Sequence, residues 1–109
     1  MEQHLGPEHP NVAATVNNLG RVLQDLGDLA GAQAAFQRAL AIWEQHLGPE
    51  HPNLATTVNN LGLVLRDLGD LAGAQAAYQR ALAIFVKFLP DQHPKIQDLR
   101  QKLRDLGEA

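Results

Sequence analysis

Residues 2–43 read EQHLGPEHPNVAATVNNLGRVLQDLGDLAGAQAAFQRALAIW, and residues 44–85 read EQHLGPEHPNLATTVNNLGLVLRDLGDLAGAQAAYQRALAIF. The two stretches align without a gap at a period of 42 and differ at six positions: Val12/Leu54, Ala14/Thr56, Arg21/Leu63, Gln24/Arg66, Phe36/Tyr78 and Trp43/Phe85. A third copy opens at Val86, keeps His93-Pro94 and then drifts into a charged segment. A fixed period of this length marks a stacked array, in which each unit buries against its neighbour an apolar face that it cannot bury alone. The chain therefore reads as a single repeat domain over residues 1–109. It comprises a first repeat at about 2–43, a second at about 44–85 and a capping segment over 86–109.

Each unit divides into two helices. The first is expected from Pro10 to Leu26. Proline at the first helical position presets φ and loses no hydrogen bond, and it biases His9 toward the extended conformation of an N-cap. Val12, Val16, Leu19, Leu23 and Leu26 recur every three or four residues and read as one apolar stripe. Gly27 then suits a left-handed stop. Asp28 caps the second helix, expected over Leu29–Leu47, whose stripe is Leu29, Ala32, Phe36, Ala39, Leu40, Trp43 and Leu47. The same reading places helices at Pro52–Leu68 and Leu71–Leu89, with a tail helix at Pro94–Leu106. Short connections make neighbouring helices antiparallel. Small residues are expected where backbones approach: Gly20 opposite Ala32, Gly62 opposite Ala74, and Ala39 and Ala81 between consecutive pairs.

Composition supports helices and narrows function. Apolar residues make up 45% of the chain and aromatics only 5%, so Ala and Leu, both strong helix formers, dominate. The net charge is −3, with no Lys/Arg block able to neutralise a run of phosphates, which argues against nucleic acid. There is no Cys, no apolar run long enough to cross a bilayer, and no leader-like N-terminus in Met1-Glu2-Gln3-His4. A cytoplasmic protein without a membrane segment is the expectation.

The unit resembles the tetratricopeptide repeat. The residues that carry the resemblance are Val16, Leu19, Gly20, Leu23, Gly27, Ala32, Phe36 and Ala39, matched in the second copy by Val58, Leu61, Gly62, Leu65, Gly69, Ala74, Tyr78 and Ala81. The period of 42 and the string HPNVAATVNNLG look most like the kinesin-light-chain type. The resemblance implies an all-α fold: a right-handed α-solenoid of two helix-turn-helix repeats plus a C-terminal capping helix. Leu23 and Leu65 stand where an aromatic is common, and Gly20 and Gly62 where kinesin light chains usually have Ala. The segment AGAQAA replaces a Glu-rich surface, so kinesin binding and cargo choice are not carried over.

In such a superhelix the first helices line the concave face. The positions turned from the packing stripe are Ala14, Asn17, Arg21, Gln24 and Asp25, with counterparts Thr56, Asn59, Leu63, Arg66 and Asp67. Three of the six differences between copies fall in this set, as tuning by a ligand or drift at exposed sites would produce. An interior asparagine weakens a helix, and its amide offers two donors and two acceptor sites. In the family the first Asn of such a pair typically holds the main chain of an extended peptide. Peptide contact is therefore expected of Asn17 and Asn59, and a structural role of Asn18 and Asn60. A basic clamp for a carboxylate finds little support, because Arg21 and Arg66 are offset by Asp25 and Asp67.

Other chemistries lack their parts. His4, His9, His46, His51 and His93 recur with the loops but have neither Cys nor a carboxylate cluster to complete a zinc set, so capping is expected of them and no metal or other cofactor is. The chain has no Ser and no Cys, and Thr15, Thr56 and Thr57 sit on helices without a paired base, so an enzyme is not expected. Trp43 and Phe85 read as core aromatics touching the following pair. Ile96, Leu99, Leu103 and Leu106 give the tail one apolar side, the profile of a solvating cap. Val22 and Leu26 would ordinarily meet a preceding helix, so their exposure predicts self-association through the uncapped N-terminal end. The sequence reads as a scaffold binding a protein or extended peptide. Its rival is a minimal, designed or excised array with a structural role and no ligand of its own.

Overall fold

Prolines and caps set the helix starts. The computed structural model describes residues 9–108; His4 and the opening of the first repeat, residues 2–8, lie outside them. Helices run α1 Pro10–Asp25, α2 Leu29–Leu47, α3 Pro52–Asp67, α4 Leu71–Phe85 and α5 Pro94–Leu103, followed by a wide π-type turn at Arg104–Glu108. No strand occurs among the described residues. Each first helix opens on a His-Pro pair: His9, His51 and His93 are extended, and each Nδ1 accepts from the backbone N–H two residues on, at 3.0, 3.1 and 3.1 Å. An imidazole here satisfies a donor that the helix leaves unpaired. Asp28 and Asp70 do the same for α2 and α4, accepting from Gly31 and Gly73. The capping role is met by His9, His51 and His93 but not by His46, which lies within the last turn of α2.

Successive helices stack in chain order, α1 on α2, α2 on α3, α3 on α4 and α4 on α5. The molecule measures 52 × 31 × 19 Å, the elongated form of a solenoid. Phe36 and Tyr78 are fully buried at the centres of the two hairpins, and Ala32, Ala39, Ala74 and Ala81 are buried beside them. Trp43 and Phe85 belong to the same core, as do Ile96 and Leu99 of the cap.

Three expectations need correction. The nearest neighbour of the glycines in the first helices is an aromatic ring rather than alanine: a Cβ on Gly20 would stand 2.7 Å from Phe36 Cε1, and one on Gly62 2.6 Å from Tyr78 Cε1. The bare backbone makes room for an aromatic ring. The single stripe assigned to the first helix is two faces. Ala13, Val16 and Gly20 are buried toward α2, whereas Leu19, Val22 and Leu26 are exposed. In α3 the corresponding Leu61 and Val64 are buried as well, because a preceding helix lies against them. Finally, α4 ends at Phe85 rather than Leu89. Pro90 stands in the register of Gly48, one position earlier than Pro49 does, and the residue before a proline avoids helical φ/ψ. The chain instead tightens, with Lys87 N–H to Ile84 C=O at 3.1 Å and Phe88 N–H to Phe85 C=O at 3.0 Å. The tail helix likewise stops at Leu103, and Gly107 (φ 91°) breaks the helical path within the π-type turn.

Candidate functional site

The first helices α1, α3 and α5 are joined through asparagine. Thr57 Oγ1 on α3 donates to Asn17 Oδ1 on α1 at 3.1 Å, and Lys102 Nζ on α5 donates to Asn59 Oδ1 on α3 at 3.2 Å. An ammonium only donates, so the Asn59 atom that faces it is the oxygen. The repeat carries the same orientation to Asn17. Both side chains are half-buried, and their amide nitrogens donate to no protein group among the described residues. Each asparagine thus spends its oxygen on the next first helix and keeps two donors. Asn18 and Asn60, from which a structural role was expected, make no side-chain hydrogen bond among the described residues. They lie one residue further on, about 100° round the helix from the bridging position.

The other candidate positions spread around this ladder. Ala14, Arg21, Asp25, Thr56, Arg66 and Asp67 are exposed, whereas Gln24 and Leu63 are half-buried. Arg66 is held by its neighbour Asp67, Nη2 to Oδ1 at 3.3 Å, so neither charge is free of its partner. Thr56 Oγ1 turns back toward the Pro52 carbonyl at 3.5 Å, as helical threonines do. Arg21 and Asp25 share a shallow cavity of about 280 Å³ with Asn18 and Val22. An apolar cavity of about 450 Å³ lies elsewhere, between Leu47–Pro52 and Phe88, and none of the candidate residues lines it.

Two residues that matter at this face were missed from sequence. Thr57 is the only buried polar side chain in the core of the described residues. Its signal was its place in the series Leu54, Thr57, Leu61, Val64, Leu68 on one helical face, from which Thr56 lies about 100° away. Lys102 lies on the tail helix, from which only a solvating cap was expected. It lies 2.7 Å from Asp98 Oδ2 and 5.7 Å from the centre of the Tyr78 ring, in addition to meeting Asn59. Position 99, where the repeat would place a third threonine, is Leu, and leucine cannot donate; Lys102 supplies the missing hydrogen bond. Tyr78 itself is fully buried, its hydroxyl bonded to nothing among the described residues. Burial pushes its phenol above the ordinary value; Arg66 opposes the shift, while Asp67 and Asp98 add to it.

No group of three His, Cys, Asp or Glu side chains that could hold a metal occurs among the described residues, and no described helix is long and apolar enough to cross a membrane. The geometry is that of an α-solenoid of stacked hairpins, the class of scaffold that works by presenting a surface. The chain belongs to the tetratricopeptide repeat family, whose model matches residues 1–45 and 11–85. Repeats of this family generally mediate protein–protein interaction, and the fold is a non-enzymatic scaffold. The type is that of kinesin light chains. The structure is similar to the crystal structure of BtubC (BKLC) from P. vanneervenii, with a TM-score of 0.82 and 26% identity over 91% of this chain and 40% of that one. It is also similar to a putative kinesin light chain of Podosopora anserina with nearly identical repeats, with a TM-score of 0.83 and 25% identity over 91% of this chain and 47% of that one. The chain thus spans less than half the length of either. No curated protein matches.

Proposed function

We propose that the chain is a protein-binding scaffold that holds an extended peptide along its first helices, with Asn17 and Asn59 as the principal donors to the peptide main chain. One observation carries this reading: each asparagine oxygen is engaged by the following first helix, which orients the side chain and leaves its amide N–H groups uncommitted. Donors at a fixed spacing suit a ligand whose carbonyls also recur at a fixed spacing. Around them Ala14, Thr56, Gln24 and Leu63 offer a mixed apolar and polar surface. The paired charges Arg66 and Asp67 favour no simply acidic ligand.

The ladder supplies its own test. Asn59→Asp and Asn17→Asp keep an acceptor for Lys102 and Thr57 but exchange the amide donors for an acceptor. Peptides selected from a displayed random library on the unaltered chain should lose roughly tenfold or more in affinity for either variant by calorimetry, with helical content unchanged. Equal affinity would discard the asparagine contacts. Failure of the library to yield any retained sequence would favour an array with a structural role alone.

A further inference from the structure

Positions related by the repeat share a sequence, so a difference in burial between them reports what lies alongside. Leu19 and Val22 are 51% and 52% exposed, yet Leu61 and Val64 are 8% and 0% exposed. Thr15 is exposed and Thr57 buried. Leu26 is 76% exposed against 44% for Leu68. With Val12, which is half-buried where Leu54 is fully buried, these residues form one face at i, i+3, i+7, i+10 and i+14, and among the described residues α3, unlike α1, has a second helix of a preceding repeat packed on it. In α5 the same register places Ile96, Leu99 and Leu103 on the core beside α4, and Leu106 joins them from the π-type turn that follows. Among the described residues the face recurs three times and is covered twice.

We infer that the exposed face of α1 docks on α4 of a second copy of this chain, displacing that copy's α5. The interface is the α2–α3 contact, repeated between molecules. On the docking face α1 differs from α3 only in Val12 for Leu54, and α4 differs from residues 29–43 of α2 only at Tyr78 and Phe85, though it lacks the last turn that carries α2 on to Leu47. The displaced helix is the poorer cover: α5 has 10 residues where α3 has 16. Leu71, at the start of α4, is left exposed, whereas its counterpart Leu29 is half-buried. Tethering through residues 86–93 gives α5 a high effective concentration, so single chains stay closed when dilute and exchange as concentration rises. Docking leaves a free α1 face on the receiving copy. The contact is heterologous and does not close, so it builds linear chains.

Sedimentation velocity on the full chain over a wide concentration range tests the inference. The unaltered chain should form dimers and longer species at high concentration, and Val22→Glu should abolish them without loss of helical ellipticity. Leu99→Ala loosens the cap on α4 and should lower the concentration of half-association about tenfold or more. Val22→Glu combined with Leu99→Ala should return a monomer. If Leu99→Ala costs more ellipticity than α5 contributes, the milder Leu103→Ala takes its place. Association blocked by Val22→Glu but indifferent to the cap variant would mean that two α1 faces pair with each other, and would overturn the inference. So would association of the cap variant that survives Val22→Glu, or a monomer under every condition.

Discussion

Thr57 Oγ1 donates to Asn17 Oδ1 at 3.1 Å, a hydrogen bond that ties two successive first helices across 40 positions of chain. Thr57 is fully buried, and Thr15, the residue it duplicates, is exposed. Thr57→Val should destabilise the fold by about 1 kcal/mol, the usual net worth of such a bond when the partner can still reach water. Thr15→Val should change stability by less than about 0.5 kcal/mol, as surface substitutions do. Urea titration of the two variants side by side checks the contrast.

Gly62 gives way to the Tyr78 ring. An added methyl would stand 2.6 Å and 2.8 Å from two ring carbons of a fully buried residue. Alanine is the better helix former by about 1 kcal/mol, but overpacking of this kind costs about 1–3 kcal/mol. Gly62→Ala should therefore be destabilising on balance. In a Tyr78→Leu background the same substitution should become stabilising, and a double-mutant cycle in urea reads the reversal directly.

Tyr78→Phe places in the second repeat what the first repeat already holds at Phe36. The lost hydroxyl is buried and unbonded, so the variant should be about 1 kcal/mol more stable. Because burial raises the phenol above its ordinary value, the folded protein keeps this proton more tightly than the unfolded chain. The resulting stability is complete below the unfolded value of about 10 and is lost as pH rises through the folded one. Tyr78 is the only tyrosine of the chain, so phenolate absorbance follows its titration alone. The decline above about pH 10 should be steeper in the unaltered chain than in Tyr78→Phe.

Asp70 accepts from Gly73 N–H at 2.9 Å and begins α4. Asp70→Ala should cost about 1 kcal/mol, and Asp70→Asn much less, since an amide oxygen still caps. Thermal unfolding followed by circular dichroism distinguishes the pair. Glu44 and Arg80 also form an ion pair, but both are more than a third exposed. Glu44→Gln should shift the same measurement by less than about 0.5 kcal/mol.

Much of this molecule was legible in the chain. The His-Pro starts, the aspartate caps and the glycines after Leu26 and Leu68 are local features, and their chemistry acts within a few residues. Helix existence and type followed from spacing. The end of α4 was not placed, because a single-register shift of Pro90 counted for more there than the apolar pattern. At the candidate site, the asparagines stood out in the sequence as unusual helix residues. Which partner each would meet was not visible: Thr57 and Lys102 lie 40 and 43 positions away from the residues they bind.

Local sequence determined that this chain makes paired helices every 42 residues, since capping, proline geometry and apolar periodicity all act at short range. Only the tertiary structure decided what identical segments do in different places. Leu19 and Leu61 have the same side chain on the same helical face, but one meets solvent and the other a preceding helix. Burial and hydrogen bonding depend on neighbours, and a repeat cannot state in its own letters whether its neighbour is there.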